Sequence, residues 1–511
     1  YMSFTNPFKS MKYFQKLLLL FLLSVASITF AQNNVSRKIM ELGRTDNRTM
    51  QHLDILTNRI GGRLIGSDAY TNAENWVAGL LKSWGLEVEL EEVGEVPVGF
   101  NRGPWFGRMY GDESMVLNFV TPSYTSGTKG LQRGPVLIEP KSRKEFERMK
   151  GKLKGAWVLI EGKSKGWPID YSTGGDSLRA EVIKHNENAK NDSDKIAEPA
   201  LFYKEMKEAG ILGIIQAAPV PLTALYDRKN LSKMSFDHLP DLPDIKLDEE
   251  QYQKIRDKVE RREFVMLEFD IRNHFKPGPV KYHNVIGYIR GVKHPDEYVM
   301  SGCHLDAYDA GSGAVDCGTG VAPNLEMARL IMAAGGNKPD RTIVFCFWAG
   351  EEFGLWGSKF WVEHHKDRLP HISNYFNRDG GPLAASGLVV PENWYEDVKK
   401  CTEGLENYDP QIPFTVEKDL RPAREIPLKE GGSDHAYFAM NGVPTITFKN
   451  TDPLGTNFSY FEIWHTNRDL YNMSIPQYME YTSVTQAVTL YNIANLKRLL
   501  PRDQIYIQKK E

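Results

Sequence analysis

The chain has 511 residues, with 63 Lys plus Arg against 66 Asp plus Glu and a formal net charge of −3 at pH 7. That length allows two or three domains around a large core, and near-balanced charge without a long basic run sets nucleic-acid binding aside. Four cysteines in such a length do not make a disulfide scaffold. Buried thiols are the plain reading, although Cys303 and Cys317 could pair if the folded loop brought them close.

In chain order, Lys9, Lys12 and Lys16 precede an apolar run from Leu17 to Phe30, closed by TFAQ at Thr29 to Gln32 with a small residue, Ala31, at the cut. This reads as a signal peptide over residues 1–31, because the run is shorter than the ~20 apolar residues of a membrane span. The expectation is an exported protein, secreted or periplasmic, with no membrane attachment after cleavage.

Residues 32–124 read as the first part of a catalytic domain. They offer a helix from Val35 to Leu56, a loop from Gly61 to Ser67, a helix from Ala69 to Trp84, and strands at Leu86 to Val93 and Val116 to Val120. From residue 125 to 275 the texture changes to a separate β/α group. Strand-like runs lie at Gly134 to Glu139 and Ala156 to Glu161, a helix at Lys204 leads into Ile211 to Ile215, and a charged helix spans Asp248 to Arg262. Asp170 to Pro199 and Pro219 to Pro243 read as loops, and neither His185 nor His238 sits in a ligand pattern. This group is expected to be an inserted domain that shapes access to a site. From residue 276 to 511 the α/β alternation resumes as the second catalytic part. Its strands lie near Asn284 to Ile289, Tyr298 to Gly302, Thr342 to Phe347, Ile372 to Asn377 and Thr445 to Phe448, and a long amphipathic helix spans Pro476 to Leu500.

The chemistry concentrates in this last part. CHLDAYDAGSGAVDCGTG (Cys303 to Gly320) follows a buried-strand run, so His304 and Asp306, two apart, share a face as the strand ends. A Gly-rich loop then carries Asp316. WAGEEFGLWGS (Trp348 to Ser358) repeats the plan, with Glu351 and Glu352 at the turn after a second strand. Two strand ends thus bring imidazole and carboxylate to the sheet edge where open α/β folds place their sites. These donors suit zinc, and a carboxylate can bridge the two ions of a two-metal hydrolase. Asp379 in NRDGG and His465 in WHTNRD extend the set.

These motifs, with GGSDHAYF around Asp434 and His435, resemble in order and spacing those of the co-catalytic zinc aminopeptidase and glutamate carboxypeptidase superfamily, nearest its plasma glutamate carboxypeptidase (carboxypeptidase Q) branch. The resemblance implies an α/β fold, a mixed central sheet flanked by helices, with an inserted protease-associated-like β/α domain. It implies two zinc ions: His304 and Asp379 on one, Glu352 and His465 on the other, and Asp316 bridging. Glu351 matches the general acid/base and Asp306 the carboxylate that orients His304. Asp434 and His435 align with a supporting or substrate-facing pair. Arg378, beside Asp379, departs from the pattern and either reads a substrate carboxylate or pairs with a surface acid. Cys317 also departs from it, at a position whose peptide bond to the bridging Asp is commonly cis in the family. The implied function is an exopeptidase cleaving dipeptides or short peptides with a metal-activated water, and the same likeness suggests a homodimer. A glutaminyl-cyclase-like zinc aminoacyltransferase is the alternative, and a binding module without activity is a third class.

Overall fold

A computed structural model describes residues 34–170, 175–196, 198–226 and 231–507, so the signal-peptide reading of residues 1–31 lies outside the described residues. Among them, no helix is long and apolar enough to cross a membrane. The strands are β1 (Glu87–Tyr110), β2 (Met115–Val116), β3 (Phe119–Val120), β4 (Gln132–Ile138), β5 (Trp157–Lys163), β6 (Gly213–Ala218) and β7 (Asp244–Asp248). After them come β8 (Met266–Ile289), β9 (His294–His304), β10 (Arg341–Trp348), β11 (Ile372–Asn377), β12 (Ala384–Pro391), β13 (Thr415–Asp419) and β14 (Phe448–Thr451).

An 11-stranded mixed sheet has the order β11-β9-β10-β8-β4-β5-β6-β7-β3, with β1 and β2 off that path. Parallel pairing joins β10, β9 and β11, while β8 runs antiparallel to β10, β4 and β1. The site-bearing strands are buried on both faces, which is why β10 reads as a continuous apolar run. Its Ile343, Phe345 and Phe347 point into one core with Val77, Leu81, Leu325 and Val484 from helices Asp68–Ser83, Thr319–Ala333 and Pro476–Ala494. Its Val344, Cys346 and Trp348 point the other way, against Trp361 and Phe438 of helices Trp356–His364 and His435–Met440. A third core, around Trp157, Ile215, Ile245 and Leu267, belongs to the strands of the middle segment.

Several elements differ from their sequence reading. Strand Leu86–Val93 and the strand at Asn284 are the ends of two 24-residue strands, β1 and β8, that pair along their length. Pro97 and Pro279 fall in the bulge between Val96 and Val98. Proline reads as a strand end because it cannot donate to the ladder, but at a bulge that loss is harmless. Gly175–Asn188 is a helix within a stretch expected to be loop; too few apolar side chains mark a buried stripe there. The expected helix from Val35 is interrupted at 46–48. β12 and β13, unforeseen, form a second sheet with β14, which begins at Phe448 where the expected strand ended. The helix Pro476–Ala494 is buried almost all round rather than amphipathic. Its hydroxyls find partners inside: Thr482 accepts from Ala385 N–H (3.0 Å) and Thr485 donates to Ala385 O (3.0 Å). All four cysteines are buried free thiols.

Candidate active site

The site grows from three parallel strand ends lying level. In the ladder Trp348 is opposite His304, and Asn377 is opposite Gly302. His304 therefore closes β9, Glu351 and Glu352 follow β10, and Asp379 follows β11. Gly350 makes the turn to the glutamates at φ +69°, and a Cβ there would lie 2.9 Å from the Trp356 ring, so only glycine fits. Asp306 fastens this turn: its Oδ1 and Oδ2 accept the backbone N–H groups of Glu351 (3.1 Å) and Glu352 (3.2 Å). It meets His304 mainly through its main chain, with Nδ1 3.0 Å from the Asp306 carbonyl oxygen and 3.8 Å from its carboxylate. Donation from Nδ1 leaves Nε2 as the acceptor facing the site.

Asp316 sits between two imidazoles. Its Oδ1 is 3.1 Å from His304 Nε2, and its Oδ2 is 3.3 Å from His465 Nε2. Asp379 Oδ1 approaches His304 Nε2 at 3.6 Å, and Glu352 Oε2 approaches His465 Nε2 at 2.7 Å. His465 is packed between the rings of Trp464 and Tyr308 at a φ of +57°, a left-handed conformation that surrounding contacts must hold. The Asp316 loop is fixed from behind. Arg63, fully buried, donates to the carbonyls of Leu305, Ser312 and Gly313. Asp469 accepts the N–H groups of Val315 (2.5 Å) and Asp316 (3.3 Å). The peptide bond after Asp316 is cis.

Carboxylates crowd the two imidazoles, and the electrostatics follow. Burial opposes charge on His465, yet Glu352 and Asp316 outweigh it and hold the imidazole up at about 10. Burial raises Glu352 to about 7 and, with Asp379 and Glu352 adding repulsion, pushes Glu351 well above the carboxylate range. Burial also carries Asp469 and Asp434 to about 8. The set asks for positive charge at its centre.

A divalent ion fits that demand. His304 Nε2, Asp316 Oδ2 and Glu352 Oε1 are buried without a hydrogen-bond partner among the described residues. Ligand atoms of His304, Asp316 and Glu352 lie within 4.8 Å of one another, as do those of His304, Cys317 and Asp379. Nitrogen and oxygen ligands about 2.0–2.2 Å from zinc must converge in this way. The Cys317 thiol is turned to the Arg378 carbonyl (3.1 Å).

The cleft in front of these groups measures about 740 Å³ and reaches Asp316, Glu351, Glu352, Asp379 and His465. His435 also lines it, whereas Asp434 lies behind, its Oδ1 accepting from Ser358 Oγ at 2.6 Å. Arg378 does not pair with a surface acid: it is buried, and its guanidinium holds Asn450 Oδ1 and the carbonyls of Thr319, Gly381 and Leu383. A buried backbone clamp looks in sequence like any arginine beside an acid. Sequence reasoning also passed over Asp469, visible only as the last letter of WHTNRD, and the cleft aromatics Trp167, Tyr226, Tyr460 and Trp464. Trp167 carried no signal, because it comes from the middle segment.

Residues 284–488 match the family model described as peptidase family M28. Over 493 residues the chain is 24% identical to carboxypeptidase Q of Rattus norvegicus, covering 92% of this chain and 90% of that one. It is 36% identical to a glutamate carboxypeptidase 2 homolog of Caenorhabditis elegans over 207 residues, covering 36% of this chain and 26% of that one. Two solved structures share the fold. One is a peptidase M28 precursor from Shewanella amazonensis (TM-score 0.55, 19% identity, 93% of this chain and 98% of that chain). The other is a zinc aminopeptidase from Bacillus subtilis (TM-score 0.50, 15% identity, 90% and 97%). The site-bearing segment is thus similar to peptidase family M28, and the chain is a metallo-exopeptidase.

Proposed function

We infer that this is an exported, zinc-dependent exopeptidase that hydrolyses dipeptides or short peptides, with two zinc ions. The observation that carries this reading is Asp316, whose two oxygens face one imidazole each, His304 at 3.1 Å and His465 at 3.3 Å. In this reading His304 and Asp379 hold one ion, Glu352 and His465 the other, and Asp316 spans them. Residues 32–124 and 276–511 build the catalytic domain, and 125–275 is an insert over its cleft. A homodimer rests on the family resemblance alone.

Bound zinc supplies Lewis acidity, polarising a carbonyl and lowering the pKa of water towards about 7. The chain's own part is proton handling and orientation. Glu351, in the cleft and outside the ion contacts described above, takes the proton of the attacking water and returns it to the leaving amine. Asp306 holds the Glu351 backbone while its carbonyl fixes the His304 tautomer. Zinc-loaded protein is expected to release free amino acids from dipeptides. A chelator abolishes this and added zinc restores it; unchanged hydrolysis under chelation, or cyclisation of N-terminal Gln instead, overturns the reading.

Asp469 joins the Asp316 loop to the His465 loop, since its carboxylate holds Val315 and Asp316 N–H while its carbonyl accepts from Ser312 N–H (2.8 Å). Asp469→Ala is expected to weaken zinc binding about 10–100-fold, the usual effect of losing such a supporting partner. Competition against a calibrated chelator reads this directly, and wild-type affinity would remove Asp469 from the role.

A further inference from the structure

Resting on the exopeptidase reading of this cleft, we propose that Trp167, Phe461 and Trp464 form an aromatic clamp selecting peptides with a large apolar side chain beside the scissile bond. All three line the cleft that holds Asp316, Glu351 and His465. They remain 39%, 85% and 46% exposed respectively, and large aromatics gathered at the rim of a site mark a surface awaiting a partner. Trp464 stacks on His465, with ring centroids 4.0 Å apart, so the clamp begins where the reacting bond must lie.

Trp167 belongs to the middle segment, yet it is registered against the His465 loop by main-chain bonds. The carbonyl of Gly166 accepts from Leu225 N–H (2.9 Å), and Ala224 N–H donates to the His465 carbonyl (3.4 Å). Thr223 bridges to Thr466, and Leu222 and Asn467 exchange bonds of 2.9 and 3.1 Å. Residues 222–225 thus strap the Trp167 turn to the loop carrying His465. Placement of this kind gives a rigid aromatic wall rather than a loose flap.

Charge narrows the substrate further. Among the described lining residues, the permanent cation is Arg378, and its Nε, Nη1 and Nη2 each hold an oxygen of the protein. An acidic side chain entering the cleft beyond the ion-holding groups meets aromatic faces and, among the described lining residues, no guanidinium or ammonium group left to pair with it. Glutamyl peptides are therefore expected to be poor substrates, and phenylalanyl or leucyl ones good.

The test uses the zinc-loaded full chain with Phe-Ala, Ala-Phe, Ala-Ala, Glu-Ala and Ala-Glu, amino-acid release giving kcat/KM for each. The two orders show which side of the bond the clamp reads. The wild type is expected to favour one Phe peptide over Ala-Ala by about ten-fold or more, and Trp167→Ala and Phe461→Ala each to cut that ratio by about ten-fold. Trp167→Phe keeps most of the preference. Phe236→Ala, an exposed aromatic of the same segment outside the cleft, leaves the ratio where it was. A flat wild-type profile, a preference for Glu peptides, or equal losses on every peptide in Trp167→Ala overturns the clamp while the exopeptidase stands. No hydrolysis of any peptide overturns both.

Discussion

Glu351→Gln is expected to bind zinc as the wild type does and to lose about 10²–10⁴ in kcat, the range of a removed general acid/base. The side chain keeps its size, and the Asp306 bond that places this residue goes to its backbone N–H (3.1 Å), so the turn stays. None of the close ion contacts among His304, Asp316, Glu352, Asp379 and His465 involves Glu351, so metal content does not fall. What disappears is a carboxylate able to accept a proton and give it back. Because that exchange occurs only on the way through the transition state, kcat and kcat/KM drop together. Zinc per chain and steady-state rates on one dipeptide decide the matter. A variant that retains turnover would take Glu351 out of the mechanism, and one that loses zinc would make it a ligand instead.

His465→Ala should show the opposite pattern, with metal lost first and activity lost in consequence. His465 Nε2 is the point where Glu352 Oε2 (2.7 Å) and Asp316 Oδ2 (3.3 Å) meet. Without the imidazole, an ion at this end keeps only carboxylates, and the remaining acids repel one another in a buried place. After dialysis, zinc content is expected to fall by at least one ion relative to the wild type, with hydrolysis down by orders of magnitude at ambient zinc. Excess zinc recovers part of the rate if the vacated ligand position is filled by water. Wild-type zinc content in this variant would contradict the assignment of His465.

The local sequence set much of this molecule. Apolar runs ending in His304, Trp348 and Asn377 mark strands whose ends carry the candidate site, because His304, Glu351, Glu352 and Asp379 lie at or just after those ends in sequence and a buried strand needs no distant information to be recognised. The family pattern and the α/β class were legible for the same reason. Tertiary structure alone decided what distant segments do to one another. The β1–β8 ribbon crosses prolines that locally read as breaks, since bulge pairing depends on a partner more than 150 residues away. Arg378 became a buried clamp on carbonyls, Asp469 a tie between the Asp316 and His465 loops, and Trp167 a cleft wall supplied by the middle segment. A side chain's type and its near neighbours state what bonds it can make; which groups it meets is settled only when the chain closes on itself and buried polar atoms must find partners.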